Sequence, residues 1–170
     1  LFEHCTLAIN RAIHSFGVHD LPLMGTCDWN DGMNRVGHLG KGESVWLAWF
    51  LYANLKNFVP LAKQKGELER EKIWSDHAQV ILKAVEQNAW DGAWYRRAYF
   101  DDGTPVGSRD SSECKIDSLA QTWAVISGGG NPERAREAMA SVYEHLVKPN
   151  DEMILLFTPP FSKTPLNPGY

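Results

Sequence analysis

Several things that would each point to a function are scarce or missing in this sequence. It has no run of lysine or arginine, and 21 acidic residues outnumber 17 basic ones to give a formal net charge of −4. Nucleic acid and anionic lipid are therefore not the expected partners. Cysteine is sparse: Cys5, Cys27 and Cys114 are odd in number and far apart, with no CxxC pair to hold zinc. A reduced, cytoplasmic setting is expected from that usage, with no metal. No apolar run is long enough to span a bilayer, and the opening residues do not read as a signal peptide. No direct membrane contact is expected from this segment. Close repeats and low-complexity tracts are absent as well.

What is present is the composition of a globular protein, 44% hydrophobic and 22% charged over 170 residues. That length suffices for one domain with a real core. Seven tryptophans are many for such a chain; some must be core, and a surplus of indole suits a carbohydrate site. The sequence opens at Leu1, almost inside a helix, and stops at Pro168-Gly169-Tyr170. It reads as a piece of something longer.

The densest chemistry lies between Leu21 and Arg35 (LPLMGTCDWNDGMNR), a long connection between two helical patterns. Long structured connections are more often functional than idle. Asp28, Trp29 and Asp31 fall within four positions, Asn30, Asn34 and Arg35 add polar groups, and Gly25 and Gly32 permit sharp turns. An indole face beside carboxyls and amides is what a sugar needs: stacking, hydrogen bonds to hydroxyls, and an acid for the bridging oxygen. Asx residues beside glycine are also ordinary turn formers. A calcium loop fails on spacing, because counting from Asp28 the glycine comes one place early and position twelve is Leu39. Cys27 has no neighbouring base to form a thiolate and is not expected to be a nucleophile.

Elsewhere the pattern is helical. Cys5, Ala8, Ile9, Ala12, Ile13 and Phe16 predict a helix over 2–16 closed by Gly17. His4, His14 and His19 make no metal set. Residues 40–44 read as flexible, with Ser44 as N-cap for the almost wholly apolar segment from Val45 to Ala53. Pro60 is expected to end or kink that helix. An amphipathic helix follows over 67–89, its stripe made by Trp74, Ala78, Ile81, Leu82, Val85 and Ala89. Trp94, Arg96, Ala98 and Phe100 alternate as a short strand, and Asp102-Gly103 suits a hairpin turn, so a β-hairpin is expected near 94–105. A further helix opens with Asp117 or Ser118 as N-cap and ends at Gly128-Gly129-Gly130. Asn131-Pro132-Glu133 starts the last one. The tail from Met153 to Phe161 is expected to be packed but irregular. Apolar helices alternating with half-exposed ones predict concentric layers.

The blocks LPLMGTCDWNDGMNRVG (21–37), GESVWLAWF (42–50), WDGAWYRRAYFDDG (90–103), KIDSLAQTWAVISG (115–128) and TPPF (158–161) together resemble glycoside hydrolase family 94, the inverting phosphorylases of β-glucosides. The likeness is greatest to the branch that handles β-1,2-glucan, and it covers most of the chain. It implies an all-α fold, part of an (α/α)6 toroid of helical hairpins, with residues 1–170 a fragment of one catalytic domain. It also implies that Asp31 is the general acid. Trp29 would line the sugar site, Asp28 and Asn30 would shape or contact it, and Arg97 and Gln121 would lie near the same mouth or equally well be structural polar groups that pin helix ends. Inorganic phosphate is the implied co-substrate and a β-glucan oligosaccharide the implied substrate, with no cofactor. The setting would be cytoplasmic, compatible with the cytoplasmic domain of an inner-membrane synthase. Asp31 must hold a proton near neutral pH, which apolar surroundings or the neighbouring Asp28 would favour. Cys27 and Asp20 depart from the family pattern beside the motif. The glycine-rich, histidine-bearing segment that binds phosphate in the family would follow Tyr170.

Two other readings fit the same residues. An inverting hydrolase would use water and need a second carboxylate as base. A non-catalytic helical module would bind glucan without turnover. A partial toroid would also expose apolar helix faces and tend to self-associate.

Overall fold

The computed structural model describes residues 1–163 and 166–170. Five helices carry the chain: α1 (Phe2–Ala12), α2 (Val45–Gln64), α3 (Leu68–Ala84, prolonged by a π-helical turn over Val85–Ala89), α4 (Ser118–Ile126) and α5 (Pro132–Leu146). The strands are all two residues long. β1 (Glu43–Ser44), β2 (Ala98–Tyr99) and β3 (Pro105–Val106) form one antiparallel sheet in that order. β4 (Ile116–Asp117) pairs with β7 (Phe157–Thr158), and β5 (Val147–Lys148) pairs with β6 (Met153–Ile154).

Inner and outer helices alternate as the patterning predicts. In α2 the side chains of Val45, Trp46, Ala48, Trp49, Leu51 and Leu55 are buried, whereas α3 buries only Trp74, Ala78, Ile81 and Ala84 along one stripe. α2 packs on α3 and α4 packs on α5, so the chain is built from helical hairpins, an all-α arrangement with minor strands. Ser44 caps α2 by accepting from Leu47 N at 3.1 Å, and Asp117 caps α4 by accepting from Leu119 N at 2.7 Å. Asn131 caps α5 at Glu133 N and Arg134 N, with Pro132 just inside. The hairpin is present, with Asp102-Gly103 in the link between β2 and β3.

Several boundaries differ from expectation. α1 stops at Ala12, because the chain must reverse: Phe16 bridges Pro22, and Gly17 N donates to Leu21 O. Pro60 lies inside α2, which runs on to Gln64. Its ring is exposed, so the carbonyl that loses its N–H partner lies on the water-facing side. Residues 40–44 are not a loose tether: Gly42 to Ser44 are buried, and Glu43 and Ser44 pair with Tyr99 and Ala98. The tail has more pairing than expected, through β6 and β7.

A large core fills the space between helices around Trp49, Leu55, Trp74, Ile81 and Tyr95. A second, smaller one lies beneath the 21–42 connection and contains Met24, Met33, Val36, Ala98, Phe100, Val106 and Cys114. Met24 and Met33 thus anchor the DWND segment on both sides. Each such burial contributes about 1.5–3 kcal/mol.

Candidate active site

The 21–42 connection folds along the start of α2. Ser44 N donates to Pro22 O at 2.9 Å and Met24 N to Gly42 O at 2.8 Å. Within it, Asp31 opens a single 3₁₀ turn (Asp31–Met33) whose N-cap is Asn30, the amide oxygen accepting from Gly32 N at 3.0 Å. Asp31 is exposed, and its carboxylate makes no hydrogen bond or ion pair with any described residue. Trp29 beside it is 54% exposed. Both chain neighbours of Asp31, Asn30 and Gly32, line a groove of about 790 Å³ whose other wall includes Phe157, Phe161 and Tyr170. An exposed carboxylate and an exposed indole thus sit next in the chain to residues that line an aromatic-walled groove.

Asp28, one residue before Trp29, is placed differently. Its side chain is fully enclosed and is held bidentately by Arg97, Nη1 to Oδ2 and Nη2 to Oδ1, both at 2.6 Å. Ser44 Oγ donates to Oδ2 at 2.6 Å and Asn30 N to Oδ1 at 3.0 Å. Burial works to raise the Asp28 pKa, but the Arg97 hydrogen bonds and charge more than offset it and hold the carboxyl below the usual range. Arg97 is itself enclosed. On its far side Nε lies 3.4 Å from Asp117 Oδ2, and neither atom has a hydrogen-bond partner. Burial opposes the charge on Arg97, but Asp117 and Asp28 more than compensate and keep it a cation. Asp117 has the opposite balance: burial pushes its pKa up to about 6 despite Arg97. Burial likewise pushes up the Cys114 thiol next to it.

Gln121 is also enclosed. Its Nε2 donates to Tyr95 O and Asp117 O, and Tyr95 N donates to its Oε1, all at 2.8 Å. The six residues singled out from sequence thus separate into two groups. Asn30 lines the groove, and Trp29 and Asp31 are its exposed chain neighbours. The side chains of Asp28, Arg97 and Gln121 have no exposed surface and form a buried polar frame. The charge of Asp28 is taken up by Arg97, so Asp28 is not the bare anionic neighbour expected to help Asp31 keep its proton.

Two further carboxylates brace the connection, and neither stood out in the sequence. Glu43 accepts from His19 N at 3.0 Å and Leu21 N at 3.2 Å through Oε1, and its Oε2 lies 2.5 Å from His19 Nδ1. The His19 ring stacks on Tyr99 at 4.0 Å. Asp101 accepts from Leu39 N, Lys41 N and Gly42 N at 2.8–2.9 Å; burial works to raise its pKa, but these three amides and nearby His38 together outweigh it and hold the carboxyl below its ordinary value. Among the described residues, no cluster of His, Cys, Asp and Glu could hold a metal, and no helix is long and apolar enough to cross a membrane.

Comparison with known proteins gives the family. The profile of the "Glycosyl hydrolase 94 superfamily, catalytic domain" matches residues 1–170. The chain is 48% identical over 170 residues to the cyclic beta-(1,2)-glucan synthase NdvB of Rhizobium meliloti (strain 1021), covering all of this chain and 6% of that protein. It is 39% identical over 166 residues to solabiose phosphorylase and 36% over 162 residues to 3-O-beta-D-glucopyranosyl-beta-D-glucuronide phosphorylase, both of Paenibacillus borealis. It covers 96% and 95% of itself in these matches and 21% of each relative, so it spans a small part of the proteins it matches. With the profile covering its whole length and its helices paired as hairpins, the chain belongs to the glycosyl hydrolase 94 superfamily and forms part of that superfamily's (α/α)6 catalytic domain.

Proposed function

We propose that this chain carries the proton donor for inverting phosphorolysis, or the reverse synthesis, of a β-linked glucan, with Asp31 as the general acid and β-1,2-glucan as substrate. Asp31 gives its proton to the bridging oxygen as the C1–O bond breaks. An oxygen of inorganic phosphate forms the new bond to C1 from the opposite face, so the β-glucoside leaves as α-glucose 1-phosphate and a shortened glucan. Phosphate is itself the nucleophile, so no second carboxylate is required as base.

The observation that carries this reading is the contrast between two aspartates three residues apart. Asp28 is buried and charge-paired, while Asp31 is exposed, unpaired among the described residues and flanked by groove-lining neighbours. Trp29 offers an indole face to a sugar ring, and Asn30 fixes the turn that presents Asp31. The match to NdvB favours β-1,2 linkage, and the matched phosphorylases favour phosphate over water. The three free cysteines suit a cytoplasmic reaction.

The test uses the intact protein with a β-1,2-linked glucooligosaccharide, with and without inorganic phosphate. Glucose 1-phosphate should appear only with phosphate. Asp31→Asn should lower kcat by roughly 10²–10⁴-fold while oligosaccharide affinity survives. Equal turnover without phosphate would replace phosphorolysis by hydrolysis, and full activity in Asp31→Asn would remove the acid assignment.

A further inference from the structure

Arg97 comes from the short β2 strand's approach and lies 69 positions from Asp28 along the chain, yet its side chain is enclosed among three elements. It meets the Asp28 carboxylate with two hydrogen bonds at 2.6 Å, Ser44 Oγ at 3.4 Å and Asp117 Oδ2 at 3.4 Å. Ser44 is the N-cap of α2 and Asp117 the N-cap of α4. One guanidinium thus ties the starts of both inner helices to the segment bearing Trp29 and Asp31. A fork of fixed N–H directions suits this role; an ammonium would meet one oxygen as a point charge. Gly107 closes the clamp from the other side. It holds φ +79°, and a Cβ there would lie 2.6 Å from Arg97 N.

We infer that Arg97 is a positioning residue for the acid: through Asp28 it fixes the 28–33 segment, and so the direction in which Asp31 delivers its proton. This rests on the acid assignment of the preceding section. Arg97 has no exposed surface, so it touches no substrate. Its effect reaches the sugar by way of Asp28, the Asn30 amide on Asp28 Oδ1 and the Gly32 amide on Asn30 Oδ1. A misplacement of about 1 Å at a reacting group costs on the order of 10²-fold in rate, so loosening this chain of contacts acts on kcat rather than on substrate affinity.

The experiment compares wild type, Arg97→Lys, Asp28→Asn and the double variant in the intact protein by kinetics and by amide hydrogen exchange. Arg97→Lys should speed exchange over residues 25–34 by about tenfold or more, with exchange in α3 unchanged. It should lower kcat by roughly 10²-fold with KM within about twofold. Asp28→Asn should reproduce both effects, and the double variant should be no worse than the more severe single. Unchanged exchange over 25–34 overturns the clamp. Faster exchange with unchanged kcat overturns its role in the reaction, and a raised KM at constant kcat overturns positioning in favour of direct substrate contact. If Arg97→Lys fails to fold, Asp28→Asn decides by the same readouts. Full turnover in Asp31→Asn removes the acid reading itself, and the exchange data then still decide whether Arg97 holds the segment.

Discussion

His19 and Glu43 face each other across the base of the 21–42 connection, with Nδ1 and Oε2 2.5 Å apart, and Glu43 is 1% exposed. The same carboxylate takes the amides of His19 and Leu21. Ser44, the next residue, holds Asp28, so the pair braces the route into the DWND segment. Glu43→Gln keeps the shape but replaces one acceptor oxygen by a donor. It should cost about 1–3 kcal/mol, seen as a lowered midpoint in urea unfolding, because a buried partner is left unmatched. A midpoint equal to wild type would show that the pair contributes nothing net.

Gly107 combines a left-handed backbone with a crowded Cβ position. Its φ of +79° and the nearness of Arg97 N mean that Gly107→Ala must both strain its own backbone and push on the arginine strand. A loss of about 1–3 kcal/mol is expected. At Gly25, also at positive φ but with no atom within 4 Å of a Cβ, alanine should cost about 1 kcal/mol from backbone conformation alone. Thermal melts of the two variants side by side test the ordering.

Asp117 and Asp28 bend the pH dependence of stability in opposite directions. The Asp117 pKa is raised from 3.8 to about 6, so its contribution is complete below 3.8 and is lost as pH climbs to about 6. The Asp28 pKa is depressed, so its contribution is present above 3.8 and is lost as pH falls through its folded value. Between about pH 4 and 6 the Asp117 effect governs, and stability should decline by up to roughly 3 kcal/mol on that account. Urea midpoints for wild type and Asp117→Asn across this window should show a flatter slope in the variant. Parallel slopes would dismiss Asp117 as the titrating group.

Trp29 offers the cleanest separation of binding from stability. Half of its surface already meets water, so Trp29→Ala should shift the melting midpoint little, within about 0.5 kcal/mol. Loss of a sugar-stacking face should weaken oligosaccharide binding by roughly tenfold. Calorimetric titration with an unchanged Kd would remove Trp29 from the sugar site.

Periodicity was enough to read a helix such as α3, because its buried residues Trp74, Ala78 and Ile81 fall at helical spacing and need no partner to be specified. The caps Ser44, Asp117 and Asn131 were equally readable, since a cap acts on amides two or three residues away. The DWND segment stood out from the density of its polar and aromatic side chains. Its division into an exposed acid and a buried strut did not. That division depends on Arg97, whose pairing with Asp28 leaves no local trace in a single sequence. The same holds for Glu43 with His19 and for Gln121 bridging Tyr95 and Asp117. The early end of α1 escaped notice because Phe16 continues the apolar stripe while its backbone already pairs with Pro22.

Asp101 fills the arc of amides from Leu39 to Gly42 with its own carboxylate. Backbone concavities of that kind attract anions wherever they occur. Here the vacancy is taken by an internal guest, tethered at high local concentration and in contact with three donors at once. A free phosphoryl group would have to evict it, so the co-substrate of the proposed reaction must find its seat away from this arc, and the arc instead keeps the far end of the connection from swinging.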